Sequence, residues 1–253
     1  MPPRLYVEPP LRGGESITLP AGPARHVQVL RLQPGAPLTL FDGQGGEWDA
    51  AVLQMGRSEV RVRVVEHRPV ERELPLRFTL ALGMPANERM DHLIEKATEL
   101  GVARIQPLVC QRSVLRLAGE RAQRKLAHWQ AVAVAACEQS GRTRVPVIAP
   151  VCSLTSWLAD LPQHDAARRI LLSLAGAPAM FDGVAGALNS ADLVCLSGPE
   201  GGLTEAEEAA AVAHGFVATS LGARVLRADT APLALLAACG LVAAACLSNQ
   251  GPR

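Results

Sequence analysis

The chain lacks most of the short signatures that announce a metal, a redox couple or a membrane. Its six cysteines (Cys110, Cys137, Cys152, Cys195, Cys239 and Cys246) form no C-x-x-C pair. They read as small buried hydrophobes in a reducing compartment. Six scattered histidines form no H-E-x-x-H and no Cys/His cluster, so no metal site is expected. The most apolar run, Ala231 to Leu247, is 17 residues long and carries Pro232 and Gly240. That is short of the roughly 20 residues of a membrane span, and it reads as a buried helix. Met1-Pro2-Pro3-Arg4 leads into no apolar signal core. No secretory segment and no membrane association are expected, and a cytoplasmic location is. Lysine is scarce: of 25 basic residues only Lys96 and Lys125 are Lys. Charge of either sign is not in excess, with 25 basic against 24 acidic residues, which excludes an indiscriminate polyanion binder.

What is present is a globular composition, 49% hydrophobic and 19% charged. At 253 residues the chain suits one large or two ordinary domains. Such a length buries about 70–75% of its unfolded surface and needs no covalent staple.

The rhythm changes once along the chain. Before residue 72, short segments alternate with turn signals: Pro37 to Phe41, Trp48 to Gln54 and Glu59 to Glu66, separated by Pro34-Gly35, Asp42-Gly43 and Gly45-Gly46. Val60, Val62 and Val64 share one face of a period-2 strand. This predicts a small β-barrel or sandwich with a helix near Ala24 to Leu30, followed by a linker around Pro69 to Pro75.

From Leu76 strands alternate with helices. Strands are expected at Leu76–Leu82, Ala103–Val109, Ile170–Leu174, Leu193–Ser197 and Phe216–Leu221. Helices are expected at Glu88–Leu100, Glu120–Gln139, Thr204–His214 and Ala231–Leu247. Met90, Leu93, Ile94 and Ala97 fall on one helical face, with Asn87 as N-cap and Gly101 as C-cap. The alternation predicts an α/β domain with a mainly parallel sheet.

Charge is unevenly placed. Residues 104–144 hold eight basic residues (Arg104, Arg112, Arg116, Arg121, Arg124, Lys125, Arg142 and Arg144) against Glu120 and Glu138. A solvated helix face and a phosphate-contacting surface both fit that +6 block.

Two loops carry the candidate chemistry. In the first, the apolar run Leu193–Ser197 ends in Gly198-Pro199-Glu200-Gly201-Gly202, and Thr204 with Glu207 then forms a capping box. Glycines let the backbone turn tightly and approach a ligand, and strand C-termini are where α/β sheets bind ligands. The loop is neither G-x-G-x-x-G nor a P-loop. An ordinary βα turn is the alternative. In the second, Leu221-Gly222-Ala223-Arg224-Val225-Leu226-Arg227 leads to Asp229 or Thr230, either of which can cap the helix after it. Arg224 and Arg227 either face a ligand or pair with Asp229 or Glu200.

These two loops together resemble the RsmE family of 16S rRNA uridine-N3 methyltransferases. Three more segments agree: Arg89-Met90 through Glu99-Leu100-Gly101-Val102; Gln130 through Glu138-Gln139-Ser140-Gly141-Arg142; and His26 to Gly35 with Val29-Leu30-Arg31-Leu32. The resemblance implies a PUA-like RNA-binding β-barrel over residues 1–72. Residues 73–253 would form a SPOUT α/β domain with a C-terminal trefoil knot, an exception to the rule against knotted chains. It further implies a homodimer that uses S-adenosylmethionine (SAM) to methylate N3 of one uridine in small-subunit rRNA, without metal or membrane.

By the same resemblance the cofactor site comprises Leu172, Leu196, Gly198, Pro199, Glu200, Gly201, Gly202, Leu221, Gly222, Val225 and Leu226. Uridine N3 must lose its proton, and a cation stabilising the anion is expected at Arg227 or Arg31. Arg31, Arg112, Arg121, Arg124, Lys125 and Arg142 are expected to contact RNA. Glu138 and Gln139 fit a structural and a substrate role equally. The sequence departs from the family pattern at Asp229, where Glu is usual, and in its closing Ala-Cys-Leu-Ser-Asn-Gln-Gly-Pro-Arg. The competing readings are a catalytically silent ribosome-assembly factor on the same fold and a ribose 2′-O-methyltransferase.

Overall fold

The computed structural model describes residues 2–57, 59–162, 166–174 and 192–248. Its strands are β1 (Arg4–Tyr6), β2 (Ser16–Thr18), β3 (Pro37–Phe41), β4 (Glu47–Met55), β5 (Val60–Arg68), β6 (Arg77–Gly83), β7 (Arg104–Val109), β8 (Val147–Ile148), β9 (Cys152–Ser153), β10 (Arg168–Leu172), β11 (Asp192–Ser197) and β12 (Val217–Thr219). Its helices are α1 (Ala21–Val29), α2 (Asn87–Glu99), α3 (Gly119–Ser140), α4 (Leu154–Ala159), α5 (Glu205–Ala213) and α6 (Thr230–Ser248). They form two compact units. No helix among the described residues is long and apolar enough to cross a membrane.

The first unit comprises residues 1–73 and, from far along the chain, residues 134–145. Its five-stranded sheet runs β1-β3-β4-β5-β2. The β1–β3 pair is parallel, with Leu5 opposite Leu40, and the other pairs are antiparallel. The alternation on β5 is as expected: Val60, Val62 and Val64 are fully buried with Leu5, Val27, Leu38 and Leu40, while Arg61, Arg63 and Val65 face out. Helix α1 closes with paired bonds, Arg31 N–H to the Gln28 carbonyl and Leu32 N–H to the Val27 carbonyl. That closure puts Arg31 at φ +53°, a left-handed conformation worth about 1–2 kcal/mol of strain to an L-residue.

Segment 134–145 is bound into this unit by polar contacts. Glu138 Oε1 accepts the Tyr6 N–H at 2.8 Å, and the Thr143 carbonyl accepts the Gly45 N–H at 3.1 Å. Arg142, only 5% exposed, is clamped on the Glu73 carboxylate. Nearby, the buried Glu47 carboxylate takes Arg4, Arg68 at 3.3 Å and Arg72 at 2.6 Å. A buried carboxylate persists only when paired in this way.

The second unit comprises residues 74–133 and 146–253. Its parallel sheet runs β12-β10-β11-β6-β7-β8, with β9 also beside β7. Strand register aligns the carboxyl ends: Leu172 lies opposite Thr219, Ser197 opposite Leu82, and Gly83 opposite Leu108. The central strands are apolar on both faces, as in sheets covered by helices. Met90, Leu93, Ile94 and Ala97 of α2 are fully buried, and Trp129 of α3 is buried with its indole N–H on Asp91 Oδ1 at 2.9 Å.

The capping details divide. Thr204 and Glu207 form the expected capping box. Gly101, at φ +98°, closes α2 with its N–H on the Thr98 carbonyl while Val102 reaches Ala97. Asn87 is not an N-cap. It is the first helical residue, Ala86 holds the cap position without a side-chain bond, and the Ala86 N–H is met by Glu200 from a distant loop. Strands β1, β2, β8 and β9 and helix α4 were not expected.

The atypical closing stretch lies partly outside the described residues, which end at 248. Cys110, Cys137, Cys195 and Cys239 are buried and free, and Cys152 is half-buried and free. Burial pushes the Cys110 and Cys137 thiols up to about 12 and that of Cys239 to about 11, so all three stay neutral.

Candidate cofactor site

A cavity of about 360 Å³ opens at the carboxyl ends of β10, β11 and β12, within the second unit. Three connections build it: Leu172–Leu174 after β10, Ser197–Leu203 after β11, and Thr219 to Ala228 after β12, with Glu208 of α5 and Ala231 of α6 completing the wall. Each strand delivers its loop to the same edge because all three run parallel in aligned register.

The glycine loop is held from several sides. Gly202 adopts φ +70°, and its N–H bonds the Pro199 carbonyl at 2.8 Å, closing the turn. Arg112 donates to the Gly201 and Leu203 carbonyls, both at 3.1 Å. The Glu200 carboxylate accepts the Ala86 N–H at 3.1 Å and meets Arg89 at 3.4 Å, an anion at the positive end of α2. Glu207, 8% exposed, accepts the Gln111 N–H at 2.8 Å besides its capping bonds. Below the loop, Gly83 ends β6 so close to Pro199 that a Cβ there would stand 2.4 Å from the proline Cδ.

Of the residues expected to hold a cofactor, Leu172, Gly198, Pro199, Glu200, Gly201, Gly202, Leu221, Val225 and Leu226 line this cavity. Leu196 does not: it is fully buried in the core with Ala81, Leu171 and Phe216, because its side chain points into the sheet's packed face. Gly222 is also off the wall, spent in a turn whose N–H takes Ser220 Oγ at 3.3 Å. The structure adds Ser173, Leu174, Ser197, Leu203, Glu208, Thr219, Ala228 and Ala231, and it puts Arg224 of the second motif loop on the wall as well. Neither Asp229 nor Glu200 pairs with Arg224 or Arg227, and among the described residues those two arginines form no ion pair. Arg227 is exposed in the last loop, beside the lining residues Leu226 and Ala228, and its carbonyl accepts the Thr230 and Ala231 N–H groups before α6.

The expected RNA contacts separate by environment. Arg31 is exposed in the first unit, and Arg121 and Arg124 are exposed on α3 with Lys125 half-buried. Arg142 is corrected: its guanidinium is buried against Glu73 and is not offered to a phosphate. Arg112 is exposed but committed to the glycine-loop carbonyls. Glu138 serves structure, through the Tyr6 N–H. Among the described residues no three His, Cys, Asp or Glu side chains are grouped to hold a metal.

Comparison with known proteins places this geometry. Residues 72–240 match the model of an RNA methyltransferase domain, and residues 24–65 that of an RNA methyltransferase PUA domain. The ribosomal RNA small subunit methyltransferase E of Synechocystis is 32% identical over 92% of this chain and 76% of its own length. That of Bacillus subtilis is 32% identical over 84% of each. The crystal structure of the Neisseria gonorrhoeae methyltransferase E bound to S-adenosyl methionine superposes with a TM-score of 0.88 at 35% identity, over 96% of this chain and 98% of that one. A putative Legionella pneumophila methyltransferase in complex with the same cofactor gives 0.88 at 31%, over 96% and 98%. The α/β unit is therefore a SPOUT methyltransferase domain with a PUA-like domain before it, and the chain belongs to the RsmE family of RNA methyltransferases.

Proposed function

We propose that this chain is a SAM-dependent methyltransferase of small-subunit ribosomal RNA and that it modifies N3 of a uridine. The supporting observation is the cavity at the carboxyl ends of β10, β11 and β12, walled by the glycine loop in a chain of this family. The residues suit the group. Leu172, Leu174, Leu221, Val225 and Leu226 offer apolar surface to an adenine, and Gly198 to Gly202 expose backbone N–H and C=O groups for polar edges. When bound, SAM supplies a sulfonium-activated methyl group.

The protein's part is to bind, align and exclude water. Holding the two reactants in line contributes about 7–11 kcal/mol in well-oriented systems. The glycine loop is tied by Arg112 to the segment after β7 and by Glu200 to the start of α2, and Glu207 ties α5 to Gln111 of that same segment. Uridine N3 lies on the Watson–Crick edge, so the base must be unpaired or extruded. As N3 loses its proton, a guanidinium steadies the charge. Arg227, exposed beside the cavity wall and without an ion pair among the described residues, is the first candidate, and Arg31 the second.

The reading includes the family's C-terminal knot, a cytoplasmic location and a homodimer. For the dimer, α6 is apolar all round, and Leu241 on it is 74% exposed. The test is to map N3-methyluridine in small-subunit rRNA of cells with and without the gene, and in rRNA treated with purified protein and SAM. The expected result is one position lost without the gene and restored by the protein. A mark on ribose would replace the base assignment, and no mark together with retained RNA binding would leave an assembly factor.

A further inference from the structure

Among the described residues the cavity carries two carboxylates, and they are not equivalent. Glu200 has its charge met by Arg89 and by the N-terminal end of α2. Glu208, in the first turn of α5, forms no ion pair among the described residues. Its Oε2 accepts the hydroxyl of Ser173, which is 7% exposed, at 3.0 Å. No other bond to the Glu208 side chain is formed among the described residues, so its Oε1 has no donor there while the residue lines the cavity.

Two features show that this placement is not simply helix capping. Glu205 and Glu207 already supply acidic charge to the same helix end, and Glu207 completes the capping box. Successive helical residues point about 100° apart. Glu207 is thereby turned toward Gln111, whereas Glu208 is turned toward the end of β10 and into the cavity wall. The serine fixes the carboxylate's rotation, since an ionised carboxylate only accepts and Ser173 donates.

We infer that Glu208 is the countercharge for a cationic group of the methyl donor, oriented by Ser173. The inference rests on reading this cavity as the SAM site. SAM offers two such cations, the α-ammonium and the sulfonium. A half-enclosed carboxylate with one idle oxygen favours either over a neutral group, because a charge-assisted bond is roughly twice as strong as a neutral one. The cationic lining residue Arg224 is exposed and forms no ion pair with Glu208, so among the described residues no cation meets the Glu208 carboxylate until a ligand supplies one.

The test is calorimetric titration of the wild type and of Glu208→Gln with three ligands: SAM, S-adenosylhomocysteine and 5′-methylthioadenosine. The first has both cations, the second the ammonium alone, and the third neither. Gln keeps the acceptor for Ser173 and the volume while removing the charge. A loss of about tenfold for SAM and S-adenosylhomocysteine, with methylthioadenosine unchanged, assigns the ammonium. A loss for SAM alone assigns the sulfonium. Equal losses for all three ligands, or no loss for SAM, overturn the inference. Wild-type protein that binds none of them overturns the cavity assignment instead. Ser173→Ala, expected to weaken SAM by a smaller factor of about threefold, reads the orienting contact in a variant that keeps the charge.

Discussion

Gly83→Ala is the substitution that most directly tests how the fold shapes the glycine loop. Gly83 ends β6, and a Cβ added there would lie 2.4 Å from Pro199 Cδ, 2.6 Å from Pro199 N and 3.0 Å from Cys110 Sγ. Carbon atoms pack at about 3.5–4.0 Å, so Pro199 must retreat by roughly 1 Å or β6 must bend away. Neither is cheap, since Pro199 starts a turn closed by the Gly202 N–H, and β6 is hydrogen-bonded to β7 and β11 on its two sides. Overpacking of this kind destabilises by about 1–3 kcal/mol. For a protein of this size that lowers Tm by about 2–12 °C.

The larger effect is on function. Pro199 belongs to the cavity wall, and a displacement of about 1 Å in a positioning element costs about a hundredfold in rate. Thermal denaturation, titration with SAM and single-turnover methylation on one preparation measure all three quantities. Gly22→Ala is the control: Gly22 lies in α1 with nothing within 4 Å of an added Cβ, so stability rises by up to about 1 kcal/mol and SAM binding is unchanged. If Gly83→Ala leaves Tm, SAM affinity and rate at wild-type values, the reasoning that close approach of β6 to Pro199 sets the loop is refuted.

Three further outcomes follow from other parts of the molecule. Removing one partner of a buried ion pair strands the other, so Arg142→Ala is expected to destabilise by about 3–5 kcal/mol in chemical denaturation while leaving the salt dependence of RNA binding unchanged. The triple change Arg121→Ala, Arg124→Ala, Lys125→Ala is expected to do the reverse: little change in Tm, and a slope of log affinity against log salt that flattens by about 2. An unchanged slope removes that face of α3 from the RNA surface. The buried Cys110, Cys137 and Cys239 thiols have raised pKa values, so the unfolded chain releases their protons first and stability falls as pH rises above about 8.5–9. Native protein should therefore resist iodoacetamide at pH 8 until denaturant is added, and labelling of these three in the folded state, followed by mass spectrometry, would contradict the burial.

Local chemistry made much of this protein legible in its sequence. The Val60-Val62-Val64 alternation, the α2 stripe of Met90, Leu93, Ile94 and Ala97, and the Thr204/Glu207 box each involve residues within a few positions of one another. The glycine loop and the Leu221–Leu226 loop announced a site because their residue types permit tight turns after apolar strands. What escaped were elements whose reason lies far away along the chain. The three-residue strand β1 exists only because β3 lies beside it, and the N-terminus of α2 is completed by Glu200 rather than by its own Asn87.

The sequence alone determined the main αβ alternation, the helix faces and the order of the loops, since these follow from periodicity and backbone preference within single segments. Only the tertiary structure decided which arginines remain available. Arg142 and Arg112 belong to the same basic block as Arg121 and Arg124, yet one is spent on Glu73 and the other on the Gly201 and Leu203 carbonyls. It likewise decided that residues 134–145 pack with the first unit, that Gly83 must lack a side chain, and that Glu208 faces the cavity while Glu207 does not. Each depends on a partner brought close by folding, and a partner's position is a property of the packed chain that no pattern of neighbours along it encodes.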